Sequence, residues 1–220
     1  NTINEGMVTL LRIYHHFVSW NIIFVTMSSA LRNAVVTGAN RGLGLELCRQ
    51  MMAAPSSSFP EVAAFDRIYA LCRKTSTELD ILAKEENSKI SVVEGIDVVH
   101  GGYESILSHT FMPDDGDAVP ISLLIHNAGA YGPPEGFEDP SEVYGSQNLE
   151  NITPERFMYA FQLNSAAPLF LTKQLLPSLR ANGPGGKVII ISSLMGSITD
   201  NTSGGHYGYR AEKAAVNMVG

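Results

Sequence analysis

Basic residues are in short supply. Fifteen Lys and Arg stand against 22 Asp and Glu, a formal net charge of −7 with no basic run, and this excludes a nucleic-acid groove. Cysteine is scarcer: Cys48 and Cys72 form no C-x-x-C, and no histidines sit at zinc spacing, so the pair reads as reduced structural thiols of a cytosolic protein. His15, His16, His100, His109, His126 and His206 are scattered, and no metal is proposed. The apolar stretch at 17–25 is too short to cross a bilayer, and no membrane partner is expected. Internal repeats and extended low-complexity tracts are absent. What remains is 220 residues with 45% hydrophobic content, enough for one sizeable core in one domain.

The informative stretch is Thr37-Gly38-Ala39-Asn40-Arg41-Gly42-Leu43-Gly44, directly after the β-branched run Ala34-Val35-Val36. It reads as strand, glycine turn, helix. Glycines spaced G-x3-G-x-G let backbone approach a pyrophosphate, and the amides opening the next helix point partial positive charge at that anion.

From position 33 onward, strands alternate with helices, the pattern of right-handed crossovers and a parallel sheet. The expected strands are 33–37, 67–72, 89–94, 121–126 and 187–193, with the continuous apolar run 121–126 as the centre of the sheet. Expected helices run from Gly42 into the fifties, with Leu43, Leu47, Met51 and Ala54 facing inward and Pro55 to Pro60 ending it, then over 77–86 and from Gly101-Gly102 through Phe111. Residues 130–151, rich in Gly, Pro, Glu and Asn, read as a surface excursion. A long helix follows, capped by Thr153 with Pro154 at its first position, bent or interrupted at Pro168 and Pro177, and stopped by Gly183-Pro184-Gly185-Gly186. A last helix carries Tyr209 and Lys213.

Five motifs then fall in order: Thr37-Gly38-x3-Gly42-x-Gly44, Asn127-Ala128-Gly129, Asn164, Ser192-Ser193 and Tyr209-x3-Lys213. Together they resemble the short-chain dehydrogenase/reductase family from about Ser29 to the end. The run Ser192-Ser193-x2-Gly196-Ser197-Ile198 and the approach Gly204-Gly205-x-Tyr207-x-Tyr209-Arg210 are most similar to sniffer-like and C-factor-like carbonyl reductases. The implied fold is α/β, a Rossmann-type doubly wound parallel sheet in a single domain.

Tyr209 and Lys213 are four apart on a helix, so phenol and ammonium share a face. A nearby cation favours phenolate, but moving a tyrosine pKa from about 10 to about 7 takes roughly 4 kcal/mol, more than one exposed amine supplies. The charge of an oxidised nicotinamide and a dry site must share the task. The resemblance makes Tyr209 the general acid for a carbonyl oxygen and gives Lys213 the ribose of the cofactor as well. Tyr207 competes for the role, but Ala211 lies four residues beyond it and brings no cation. Ser193 would donate a hydrogen bond to the same oxygen, with Ser192 as its rival. The family uses the second serine of the pair; its separation from Tyr209 is longer here than the commonest spacing, with the extra residues between Gly196 and His206. Asn164 lies in an otherwise apolar helix, where its amide must find partners. In the family this asparagine opens the helix to a water that relays protons to the lysine. His126 replaces the asparagine that usually begins the second motif, removing one structural hydrogen bond while sparing the backbone contacts of Asn127, Ala128 and Gly129.

The resemblance assigns the nucleotide to Gly38, Asn40, Arg41, Gly42, Leu43 and Gly44, to Arg73, to Asp97 and Val98, to Asn127, Ala128 and Gly129, and to Tyr209 and Lys213. NAD users place an acid after strand two; this chain has Cys72-Arg73-Lys74, and a guanidinium suits a 2′-phosphate, so NADP (NADPH) is the expected cofactor. Arg41 points the same way, and Asp66 should lie at the other end of the strand. Asp97 resembles the family's adenine-contacting aspartate, with a strand-end cap as its other reading.

The expected function is NADPH-dependent reduction of a small-molecule carbonyl substrate in the cytoplasm. The competing class is a nucleotide-binding sensor or signalling protein without turnover, because the family continues past the catalytic helix into further strands and this chain stops inside it. Either a homodimer, through the long and catalytic helices, or a monomer fits the resemblance. Residues 1–26 read as a non-core extension and 27–220 as the domain, with Met27 the expected working start. Arg12, His15 and His16 precede the apolar stretch like the entry to a signal peptide, but no convincing cleavage pattern follows.

Overall fold

The structure is a computed structural model that describes residues 31–52, 65–114, 116–131, 145, 147–183 and 186–220. Five parallel strands, β1 (Asn33–Thr37), β2 (Arg67–Leu71), β3 (Ile90–Val93), β4 (Leu123–His126) and β5 (Lys187–Ile190), stand in the order β3-β2-β1-β4-β5. β1 is therefore the middle strand, which corrects the placement of β4 at the centre; β4 lies one position over, between β1 and β5. Both are buried on two faces, so an apolar run alone does not tell them apart.

The connecting helices are α1 (Gly42–Met52), α2 (Thr77–Lys84), α3 (Glu104–Phe111), α4 (Pro154–Phe161), α5 (Ala167–Ala181) and α6 (Tyr207–Val219). Period-two alternation on the strands splits the core. Val35, Tyr69, Leu71 and Leu124 pack with Leu107, Phe111 and Leu171 on one face. Ala34, Val36, Ile68 and Ala70 pack with Leu45, Cys48 and Leu79 on the other.

The inner side of α1 differs from the expected stripe. Gly44, Leu45 and Cys48 are buried, whereas Leu43, Leu47 and Met51 are only half-buried and Ala54 lies outside the described residues. Close seating of Gly44 against the preceding turn sets the rotation of the helix. The proline stretch 55–60, the apolar stretch 17–25, Met27 and most of 130–151 also lie outside the described residues.

Thr153 caps α4 as its sequence requires, its Oγ1 accepting from the N–H of Arg156 at 3.3 Å. The long helix is not continuous: a π-helical turn, Gln162–Ala166, separates α4 from α5, and Asn164 sits inside it. Pro168 falls just beyond this turn, at the start of α5, where its missing N–H costs little. Among the described residues no helix is long and apolar enough to cross a membrane.

Candidate active site

The sheet reverses direction of winding between β1 and β4, and ligands of open α/β sheets bind beyond the strand ends at such a point. Thr37 ends β1 there. Its Oγ1 accepts from the N–H groups of Asn127 and Ala128, each at 3.0 Å. In return Asn127 Nδ2 donates to the carbonyls of Thr37 at 3.0 Å and Gly38 at 3.2 Å. The glycine turn and the loop after β4 are thus one fastened unit. Gly44 fits only as glycine, because a Cβ would stand 2.2 Å from the Gly38 carbonyl oxygen and 2.5 Å from Asn127 Nδ2. The N-terminus of α1 consequently starts tight against the turn, as a pyrophosphate cradle requires.

Asn40 ties this cradle to the end of β2, its Nδ2 donating to the Lys74 carbonyl at 3.0 Å. Arg41 and Arg73, both exposed, flank that link. The nearby acids are engaged elsewhere: Glu94 accepts from the N–H of Thr75, and Asp80 from its hydroxyl. Asp66 lies at the other end of β2, accepting from the N–H of Arg32 at 2.7 Å.

Asp97 follows β3 and caps its own turn. Its carboxylate accepts from the N–H groups of Val99 at 3.0 Å and His100 at 3.1 Å and meets His100 Nδ1 at 3.0 Å. Burial works to raise its pKa, and the hydrogen bonds from His100 and Val99 outweigh that and leave it lowered. Val98 lines a small cavity with Thr37, His126 and Ala128, behind the turn. His126 itself is buried, and its Nε2 lies 2.7 Å from Thr172 Oγ1 on α5. This contact ties the end of β4 to α5, and burial pushes the histidine's pKa down to about 4.

α6 packs on the π-turn, on α4 and on the turn Leu194–Gly196 that follows β5. It brings Tyr209 and Lys213 to one face, Lys213 Nζ lying 5.6 Å from the centroid of the Tyr209 ring. Lys213 is buried and donates to the Ile191 carbonyl at 2.9 Å. Burial lowers its pKa, with Glu212 acting the other way. Ser193 stands at the carboxyl edge of the sheet, its Oγ accepting from the N–H of Met195 at 3.2 Å, which leaves its proton to donate. The Ser192 hydroxyl donates to Asn217 Oδ1 on α6. Asn164 Oδ1 accepts from the N–H of Ala130 at 3.1 Å, while its Nδ2 donates to the Ala130 carbonyl and, at 2.8 Å, to Glu212 Oε1.

Three neighbours were not anticipated. The ring of Tyr131 stacks on that of Tyr209, centroids 4.1 Å apart and planes 21° from parallel. Gln147, fully buried within the supposed surface excursion, accepts from the N–H of Tyr209 at 3.0 Å through Oε1 and donates to the Tyr131 carbonyl. Glu212 is buried beside Lys213. Only Glu212 had a signal in the sequence, its three-residue offset from Tyr209.

Residues 32–219 match the sequence profile of the family described as short chain dehydrogenase. The chain is 35% identical over 100 residues to C-signal of Myxococcus xanthus, covering 46% of this chain and 52% of that protein. Among solved structures, it is similar to an NADPH-bound carbonyl reductase from chicken fatty liver, at 25% identity and a TM-score of 0.66 over 86% of this chain and 71% of that one. It is also similar to carbonyl reductase Sniffer of D. melanogaster, at 27% identity and a TM-score of 0.65 over 86% and 72%. The chain spans about half the length of the curated relatives it matches. The profile match runs through every element from β1 to the last turn of α6, and the chain belongs to the short chain dehydrogenase family of oxidoreductases.

Proposed function

We propose that the protein reduces an aldehyde or ketone with NADPH, Tyr209 acting as general acid. The observation that carries this reading is the placement of Lys213 Nζ 5.6 Å from the Tyr209 ring, both at the carboxyl edge of the sheet beside the fastened glycine turn. Similarity to structures named as carbonyl reductases supports it. When bound, NADPH supplies the hydride. Gly38, Asn40, Gly42, Leu43, Gly44 and the backbone of Asn127, Ala128 and Gly129 would hold its diphosphate and ribose, Arg41 and Arg73 its 2′-phosphate, and Asp97 and Val98 its adenine.

The chain's own residues handle the proton. The Tyr209 hydroxyl delivers it to the carbonyl oxygen, and the Lys213 ammonium stabilises the phenolate left behind. Ser193 donates a hydrogen bond to the same oxygen as negative charge develops there. In this reading the π-turn at Asn164 would open the helix to a proton relay toward Lys213. A cytoplasmic location accords with Cys48 and Cys72, free and buried, whose pKa values burial raises to about 12 and about 11. Residues 27–220 form the working domain in this reading.

NADPH consumption measured against a panel of aldehydes, ketones and quinones tests it. Turnover of at least one carbonyl is expected. Tight NADPH binding with no consumption across the panel would instead support a nucleotide-sensing role.

A further inference from the structure

Glu212 leaves α6 about 60° from Tyr209, on the side away from Lys213. It is 1% exposed, its Oε1 accepts from Asn164 Nδ2 at 2.8 Å, and its buried Oε2 has no hydrogen-bond partner among the described residues. A carboxylate so placed is expensive, and a neutral carboxyl far less so. Asn164 in turn has both its oxygen and its nitrogen committed to Ala130. Tyr131, the next residue, lies stacked on Tyr209. One chain of contacts therefore runs from Glu212 through Asn164 and Ala130 to the ring covering the candidate general acid.

We propose that Glu212 is a positioning residue: as a neutral carboxylic acid it fixes Asn164, and through Ala130 it holds Tyr131 against Tyr209, so that its ionisation loosens the wall of the site. Burial pushes the carboxyl up to about 8, against the hydrogen bond from Asn164 and the charge of Lys213. Among the elements packed on α6, the π-turn and the turn Leu194–Gly196 carry no ionisable side chain. α4 brings Glu155, Arg156 and Tyr159, and the loop after β4 brings Tyr131. Once ionised, the unpartnered oxygen demands solvation, and the side chain is drawn toward water and off Asn164.

The effect on turnover rests on the reductase reading; the effect on stability does not. Because the folded pKa stands above the unfolded value, the stabilising contribution is full below about pH 4.5 and lost as pH rises through about 8. Melting temperature and steady-state kinetics are measured from about pH 4.5 to about 9 for the wild type, Glu212→Gln and Glu212→Ala. The wild type should lose melting temperature progressively between about pH 4.5 and 8 and level off above, and should lose about tenfold in kcat/KM for the carbonyl as pH rises through about 8, with NADPH affinity nearly constant. Glu212→Gln should remove both losses and recover most of what Glu212→Ala loses at neutral pH, that loss falling on the carbonyl KM and kcat and sparing NADPH binding. A fall in melting temperature between about pH 4.5 and 8 as steep in Glu212→Gln as in the wild type overturns the proposal. Should the wild type bind NADPH yet reduce nothing, the reductase reading fails alone, and the melting curves still decide the role of Glu212.

Discussion

Thr37 and Asn127 hold each other in both directions: the Thr37 hydroxyl accepts from the Asn127 N–H, and Asn127 Nδ2 returns to the Thr37 carbonyl, each at 3.0 Å. Ninety residues separate them, and this exchange is what joins the first and second motifs into one cradle. Thr37→Val keeps the shape of the side chain and removes the acceptor of two backbone N–H groups. Stability should fall by about 2 kcal/mol in urea unfolding, and NADPH affinity should fall with it.

The glycines of the turn are not equivalent. A Cβ at Gly44 collides with the Gly38 carbonyl oxygen and Asn127 Nδ2, whereas one at Gly42 meets nothing within 4 Å among the described residues and faces only the strain of a φ of +54°. Gly42→Ala should therefore cost about 1 kcal/mol and retain NADPH binding. Gly44→Ala should abolish that binding in fluorescence titration.

Arg73 carries the cofactor preference in the proposed reading. Replacing it with alanine should reduce the ratio of NADPH to NADH efficiency by about 10- to 100-fold, chiefly through the KM of NADPH. An unchanged ratio would move the 2′-phosphate contact to Arg41.

His126 gives the fold an acid-side sensitivity. Its folded pKa of about 4 lies below the ordinary 6.5, so the unfolded chain binds the proton first. Its contribution is present above about pH 6.5 and lost as pH falls toward 4, at most about 3 kcal/mol over that window. His126→Gln cannot ionise. Urea titrations at successive pH values should show a smaller acid-side loss for this variant than for the wild type.

Much of the fold was legible because local chemistry and burial agreed. β1 follows its β-branched run from Asn33 to Thr37, and Thr153 with Pro154 opens α4 where expected. Tyr209 and Lys213 share a face because four residues on a helix oblige them to. Other features depend on tertiary contacts that no local pattern encodes. Gln147 sits among polar and glycine-rich neighbours, yet the approach of Gly208 buries it against α6. The sequence shows the helical offset of Glu212 from Tyr209, but its burial comes from the π-turn at Asn164 packed over it. The inner face of α1 is rotated by the seat of Gly44, a contact across the turn that hydrophobic spacing does not register.

Tyr209→Phe tests the central claim most directly. The variant keeps the ring that stacks on Tyr131 and faces Lys213, and it removes only the hydroxyl. With a carbonyl substrate that the wild type reduces, kcat should drop by about 10² to 10⁴-fold while NADPH affinity changes little. Undiminished turnover in Tyr209→Phe would contradict the assignment of the acid.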